Sequence, residues 1–100
     1  MYEEHQSTDG ETILTGIPAW GNAKEVLRDR GIEVESVGVL NIYTPDWNTR
    51  LPKSRGYVHV HYFNKAGNEV AYYTPCLQYL FIFTTPRVWH DDFKAKLEYP

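Results

Sequence analysis

The fold of this chain is decided by residues 76–84, which read CLQYLFIFT. The stretch carries no charge, is rich in β-favouring residues and is too short to span a membrane as a helix. As a strand it would place Leu77, Tyr79, Phe81 and Phe83 on one face. The other face would carry Gln78, Leu80, Ile82 and Thr84. Because both faces are mostly apolar, we expect a central strand in a sheet that is covered on both sides.

Size and composition indicate one small domain. The chain has 100 residues, of which 15% are aromatic and one is cysteine. A domain of this size can form a core without metal or disulfides, and a single cysteine excludes an internal disulfide. The chain shows neither a secretory leader pattern nor an apolar run of membrane-spanning length. We therefore expect a cytoplasmic protein with no membrane partner.

Charge is distributed unevenly along the chain. Residues 1–11 contain four acidic and no basic residues and so carry −4, whereas the rest of the chain carries +1. We expect residues 1–11 to be a mobile acidic tail and residues 12–100 to form the single domain. A nearly neutral body lacks the basic face that nucleic-acid binding requires, so we expect no nucleic-acid partner.

The element order predicted along the chain is β-α-β-β-β-β-α. Besides the central strand, strands are predicted at residues 12–17, 32–44, 57–63 and 69–74, and helices at residues 19–30 and 86–98. Sequential antiparallel pairing is the simplest topology for the last four strands. The fold class is therefore α+β: a curved, mainly antiparallel sheet of four or five strands, packed with two helices and with its first strand at an edge.

Local signals set the helix ends. Asn22 and Glu25 have the spacing of a capping box, which leaves the start of the first helix open between Pro18 and Asn22. Gly31 stands where a C-terminal cap glycine is expected. Thr85 followed by Pro86 is typical of the N-cap and first position of a second helix.

Two signals concern the strands. Residues 64–68 read NKAGN and predict a hairpin turn. The apolar alternation of residues 32–44 changes phase near residues 36–38, which predicts a bulge or glycine bend there.

The sharpest local motif is the pair His59 and His61. Residues two apart on a strand share a face, so both imidazoles would point the same way, as in many zinc sites. A third ligand would have to come from Cys76, His90, Asp91, Asp92 or Glu69. The alternative is that both histidines are polar residues on the wet face of the strand. Zn²⁺ is therefore an alternative expectation, and the main one is that the protein has no cofactor.

Aromatic residues fill the predicted strands and have three interpretations. They can pack in the core, form a surface for a partner, or line a pocket for an apolar or aromatic small molecule. The residues predicted for the pocket are Tyr57, Tyr72, Tyr79 and Phe81.

The longest predicted loop, residues 45–56, is the candidate partner-binding segment. Tryptophan and arginine dominate interface hot spots, and long loops in small domains are often functional. The loop contains Trp47, Arg50, Lys53 and Arg55.

Catalytic motifs are weaker. Cys76 with a histidine could form a nucleophile–base pair, but a lone cysteine at a strand start is more often a small buried apolar residue. Asp91 and Asp92 beside His90 could serve in acid–base chemistry, but carboxylates near a helix start are also stabilising there.

These observations predict a small, non-catalytic binding module. We expect it to contact another protein, as an inhibitor or adaptor does, and to form a homodimer through apolar sheet surface. The alternatives are a protein or enzyme with an aromatic-lined ligand pocket, and a metal protein that uses His59 and His61.

Overall fold

A computed structural model describes residues 2–43, 56–95 and 97, and for residues 41–43, 56–58, 92 and 93 it describes the backbone alone. Within these residues the elements are β1 (Glu3–Gln6), β2 (Thr12–Thr15), α1 (Trp20–Asp29), β3 (Ser36–Tyr43), β4 (Gly56–Phe63), β5 (Glu69–Thr74), β6 (Tyr79–Arg87) and α2 (Asp91–Lys94).

The strands form one antiparallel sheet in the order β1-β2-β6-β5-β4-β3. The α+β class, the antiparallel pairing and the central place of β6 are confirmed. The predicted count of four or five strands is wrong, because β1 adds a strand from within the segment expected to be a tail. Its register pairs Glu3 with Thr15 and Gln6 with Thr12, so β2 lies inside the sheet rather than at its edge.

The central strand lies further along the chain than predicted. Residues 75–78 form the turn between β5 and β6, so Cys76 is exposed and Leu77 is 59% exposed. Gln78 adopts a φ of 58°, a turn conformation that ends the hairpin before Tyr79. The expectation of a buried cysteine is therefore wrong, because Pro75 begins a turn here rather than preceding a strand.

The second helix is also shorter than predicted. Thr85 and Pro86 belong to β6, which continues to Arg87, and α2 covers only Asp91–Lys94. The helix start was wrong because Arg87 pairs with Glu69 of β5, so the chain stays extended beyond Phe83. A proline can lie in a strand where its missing N–H is not needed for the ladder.

Helix α1 begins earlier than the capping box predicted. Its N-cap is Ala19, which makes no side-chain capping bond, so the Asn22 prediction is wrong. The C-terminal prediction is confirmed. Gly31 has φ +78°, its N–H donates to the Arg28 carbonyl, and the Ile32 N–H donates to the Leu27 carbonyl, as in a Schellman motif.

One face of the sheet, which we call the helix face, packs against α1. Ala23 and Leu27 of α1 are fully buried in a single core with side chains from β2, β3, β4, β5 and β6. The strand residues of that core are Leu14, Val37, Val60, Tyr62, Val70, Ala71, Tyr73, Leu80 and Ile82.

Two buried tyrosines join the sheet to the start of α1. The Tyr62 hydroxyl donates to the Trp20 carbonyl over 2.8 Å, and the Tyr73 hydroxyl donates to the Ile17 carbonyl. Burial raises the pKa of both tyrosines, so they remain neutral donors. Each such bond contributes about 1 kcal/mol.

The phase change near residues 36–38 marks the start of a strand rather than a bulge. β3 begins at Ser36 and pairs with β4 in unbroken register, while residues 32–35 lie outside the strand. The bulges lie at residues 62–63 and 69–71, on either side of the hairpin turn predicted at residues 64–68.

Across the described parts of the chain, the helices are all too short and too polar to cross a membrane.

Candidate functional site

The face of the sheet opposite α1, which we call the far face, carries an aromatic cluster. Tyr72 stacks on Phe81 with ring centroids 4.5 Å apart and planes 11° apart, and Phe83 lies 5.7 Å from Tyr72. Tyr79 reaches Phe81 edge-on at 6.2 Å. Cross-strand register places these rings together, as the alternation of the strands predicted.

A cleft of about 400 Å³ opens beside this cluster. Its floor is the far face of β4 and β5, and its wall is the chain where it leaves β6. The lining residues are His59, His61, Glu69, Tyr72, Arg87, Val88 and Trp89.

The most buried polar group of the cleft is the pair His61 and Glu69, which are 8% and 4% exposed. His61 Nδ1 hydrogen-bonds to Glu69 Oε2, and the Trp89 Nε1–H donates to Glu69 Oε1 over 3.0 Å. An ionised carboxylate only accepts hydrogen bonds, so Nδ1 carries the proton. Both carboxylate oxygens are thus engaged, and the imidazole is held in one tautomer and one orientation.

The hairpin between β4 and β5 brings the pair together. Gly67 takes φ +82° in the turn, and Asn64 accepts from Asn68 through its side chain. The two bulges then shift the register so that Glu69 lies opposite Phe63 on one side and Arg87 on the other. A bulge re-aims a side chain in this way because it adds a residue to one strand only.

The second ring nitrogen of His61 has no hydrogen-bond partner among the described residues. His61 Nε2 is buried, and leaving a buried polar atom unsatisfied costs about 1–3 kcal/mol. The ring is also surrounded by aromatic groups, with Trp89 at 4.8 Å and Tyr72 at 6.0 Å between centroids. An atom of this kind is a candidate contact for a ligand.

His59 lies next to this pair. Its ring is 6.1 Å from those of both His61 and Tyr72. Burial, reinforced by the nearby His61, lowers the His59 pKa, and the Glu69 carboxylate opposes that shift. His59 is therefore uncharged at neutral pH.

Arg87 forms the cationic edge of the cleft. Its Nη2 donates to Glu11 over 2.9 Å, and its guanidinium carbon lies 4.0 Å from the Phe83 ring centroid. These contacts orient the guanidinium, which has five N–H donors in all. The remaining donors can bind an anionic or carbonyl oxygen.

The structure brings together some of the residues predicted from the sequence. His59 and His61 share the far face, but Glu69 engages one nitrogen of His61. Across residues 2–43, 56–95 and 97, no three histidine, cysteine, aspartate or glutamate side chains converge on a metal position. The zinc expectation stays a prediction.

The predicted pocket residues are divided between the cleft and the aromatic cluster. Tyr72 lines the cleft, whereas Tyr79 and Phe81 lie further along the same face. For Tyr57 the structure describes the backbone and not the side chain. The predicted partner-binding residues Trp47, Arg50, Lys53 and Arg55 lie outside the described residues.

Sequence reasoning missed the main polar partners of the cleft. Glu69 entered only as one possible metal ligand, and Arg87 and Trp89 were assigned to a helix. The signal in the sequence was the position of Glu69, a carboxylate at the first residue of β5. A tight hairpin joins β5 to β4, the strand that carries His59 and His61. The signal can be used only when the pairing register of β4 and β5 is known, and the bulges alter that register.

Comparison with family models, curated proteins and solved structures finds no match, so the interpretation of the cleft depends on its own geometry.

Proposed function

We propose that the protein binds a small, ring-bearing acid in the far-face cleft. The observation that carries the proposal is the buried His61–Glu69 pair in the lining of a cavity with aromatic walls. Its volume of about 400 Å³ is in the range of small-molecule sites. Such sites combine apolar walls with a few fixed polar groups, as this cleft does.

Each part of the ligand has a counterpart in the cleft. Tyr72 and Trp89 offer partly buried rings for an aromatic or flat group. The N–H groups of Arg87 that no described residue engages suit a carboxylate. When the ring is neutral with its proton on Nδ1, His61 Nε2 accepts from a donor group of the ligand.

The test is a titration of the whole ¹⁵N-labelled chain with phenylacetate, toluene and acetate, followed by NMR. Phenylacetate supplies both ring and carboxylate, and the other two supply one each. We expect phenylacetate to bind at least about tenfold more tightly than either, because one lost interaction of about 1.4 kcal/mol costs that factor. Its shifts should centre on His61, Tyr72 and Trp89.

A matched pair of variants locates the carboxylate. Arg87→Gln should weaken phenylacetate binding and leave toluene binding unaffected. Arg28→Gln removes an exposed arginine from α1 and should change neither. Equal binding of all three probes, or shifts away from the cleft, would contradict the proposal.

A further inference from the structure

We infer that the cleft is a proton-transfer site, in which His61 Nε2 takes a proton from a ring-bearing carbonyl acid. This inference depends on the proposed binding function and adds an activity to it. In this activity His61 is the catalytic residue and Glu69 is a positioning residue.

The hydrogen bonds around Glu69 make His61 a suitable base. With Nδ1–H donating to Glu69, the basic lone pair of the neutral ring is on Nε2. When Nε2 gains a proton, the imidazolium charge forms directly beside the Glu69 carboxylate, which stabilises it. The Trp89 N–H holds that carboxylate in place, so no reorganisation is needed during the transfer.

His59 lacks these features, although it shares the strand and the face. Its contacts in the structure are with the rings of His61 and Tyr72. Among the described residues no carboxylate hydrogen-bonds the His59 ring to fix its tautomer, and Glu69 acts on it only through its charge. Of the two histidines on β4, His61 is therefore the one arranged for proton transfer.

The chemistry of the cleft indicates the class of substrate. An aromatic 2-oxo acid has a ring for Tyr72 and Trp89, a carboxylate for Arg87 and an acidic C–H next to its ketone. The C–H bond breaks, an N–H bond forms at His61 Nε2, and the electron pair moves onto the ketone oxygen as an enolate. The same proton then returns to the enolate oxygen. The net reaction is keto–enol tautomerisation and needs no co-reactant.

The experiment uses phenylpyruvate with the full chain in D₂O. Loss of the signal of the hydrogens next to the ketone, followed by ¹H NMR, measures C–H abstraction. We expect exchange on the order of 100-fold faster than in buffer alone, the range of general acid–base catalysis. His61→Gln should reduce the rate to that of buffer.

The matched control is His5→Gln. His5 is a surface histidine of β1 whose Nε2 lies 3.5 Å from the Glu3 carboxylate, so it has a carboxylate neighbour but no cleft. This variant should exchange phenylpyruvate as fast as the unmodified protein. Exchange that survives in His61→Gln would overturn the assignment of the base.

Glu69→Gln tests the positioning role. It should lower kcat for exchange by roughly ten- to a hundredfold, as for other residues that orient a reactive histidine, with KM unchanged. A rise in KM alone would mean that Glu69 only shapes the cleft and would overturn its role. If either variant fails to fold, inhibition by phenylacetate provides a second test, because it has the ring and carboxylate but no ketone.

Binding and chemistry fail in distinguishable ways. Cleft-centred shifts with phenylpyruvate together with exchange at the buffer rate would overturn proton transfer and leave the binding function standing. Absence of both shifts and exchange would overturn the two together. Fast exchange that phenylacetate does not inhibit would place the reaction outside the cleft and overturn the inference.

Discussion

At the scale of single residues, Glu69 holds the far-face cleft together. It is a carboxylate that is almost fully buried, and it accepts from His61 Nδ1 and from the indole of Trp89. Buried charge is costly unless it is hydrogen-bonded on every side, so each donor matters more than an average surface contact.

Removing the indole donor should therefore destabilise the fold. We expect Trp89→Phe to lower the free energy of unfolding by about 1–3 kcal/mol, because Glu69 Oε1 loses its hydrogen bond. Trp20→Phe is the matched control, since no described residue hydrogen-bonds the Trp20 side chain and the residue is 42% exposed. Urea unfolding measures both, and equal effects would contradict the importance of the Glu69 bond.

His59 should make stability depend on pH. Its pKa in the folded protein is lowered from 6.5, so between that lowered value and 6.5 the unfolded chain binds more protons than the folded one. Stability should therefore fall as pH drops below about 6.5. The titratable groups that face His59 are His61, which lowers its pKa, and Glu69, which opposes the shift.

The measurement is urea unfolding of His59→Gln and the unmodified protein across this pH range. In His59→Gln the free energy of unfolding should fall less as the pH drops below about 6.5. In His5→Gln, a substitution at an exposed site, it should fall as in the unmodified protein. An unchanged slope in His59→Gln would show that the shift of this group does not affect stability.

At the scale of elements, the ends of α1 illustrate which signals are local. The Schellman motif at Gly31 could be predicted because a left-handed residue after a helix is nearly always glycine. The capping box could not fix the start, since tertiary packing sets it: Tyr62 hydrogen-bonds the carbonyl of Trp20 and places the first turn earlier.

Alanine substitutions at two glycines, one inside α1 and one at its C-terminal cap, should have opposite effects on stability. Gly31→Ala should cost about 1 kcal/mol, because its φ of +78° strains any side chain. Gly21→Ala lies inside the helix with open space around its Cβ position and should be neutral or stabilising by up to about 1 kcal/mol. Thermal unfolding of both variants measures the two effects. A loss of stability in both would contradict the expected difference between the two glycines.

Gly38 of β3 allows the C-terminal segment to pack on the far face. A Cβ there would lie 2.9 Å from Leu97 Cδ1 and 3.3 Å from both Leu97 Cβ and Phe63 Cε2. We expect Gly38→Ala to cost about 1–3 kcal/mol through overpacking. In the double variant with Leu97→Ala, the two costs should not add, with a coupling of at least about 0.5 kcal/mol. If denaturant unfolding shows that the losses of stability add, positions 38 and 97 are not in energetically coupled contact.

At the scale of the whole molecule, the sheet has two different faces. The central strand could be predicted because apolar residues occupy both of its faces, and the hairpin followed from its turn residues. β1 could not, since its exposed residues Glu3–Gln6 carry no apolar pattern; they pair with β2, and Arg30 at the C-terminal end of α1 donates to the Glu4 carboxylate. The length of β6 depends on the distant pairing of Arg87 with Glu69.

The same reasoning applies to the cleft. The His59 and His61 pattern predicted two imidazoles on one face, and local alternation is enough for that. The contact of His61 with Glu69 requires a shifted register, and the contact with Trp89 requires the chain to leave β6 over the sheet. Both depend on tertiary structure that no local pattern encodes.

Self-association is the whole-molecule expectation that remains to be measured. Leu77 and Val88 are apolar and are 59% and 80% exposed, as expected at a surface between copies. Native mass spectrometry of the full chain should give twice the monomer mass of 11.7 kDa. A spectrum of monomer alone would contradict the homodimer.

The most direct test of the cleft is the protonation state of the His61 ring, measured by ¹⁵N NMR at neutral pH. We expect a proton on Nδ1, held by Glu69, and none on Nε2, which has no hydrogen-bond partner among the described residues. In Glu69→Gln the preference for this tautomer should be lost. A proton on Nε2 in the unmodified protein would contradict the account, because His61 would then have no lone pair to offer a ligand or a substrate.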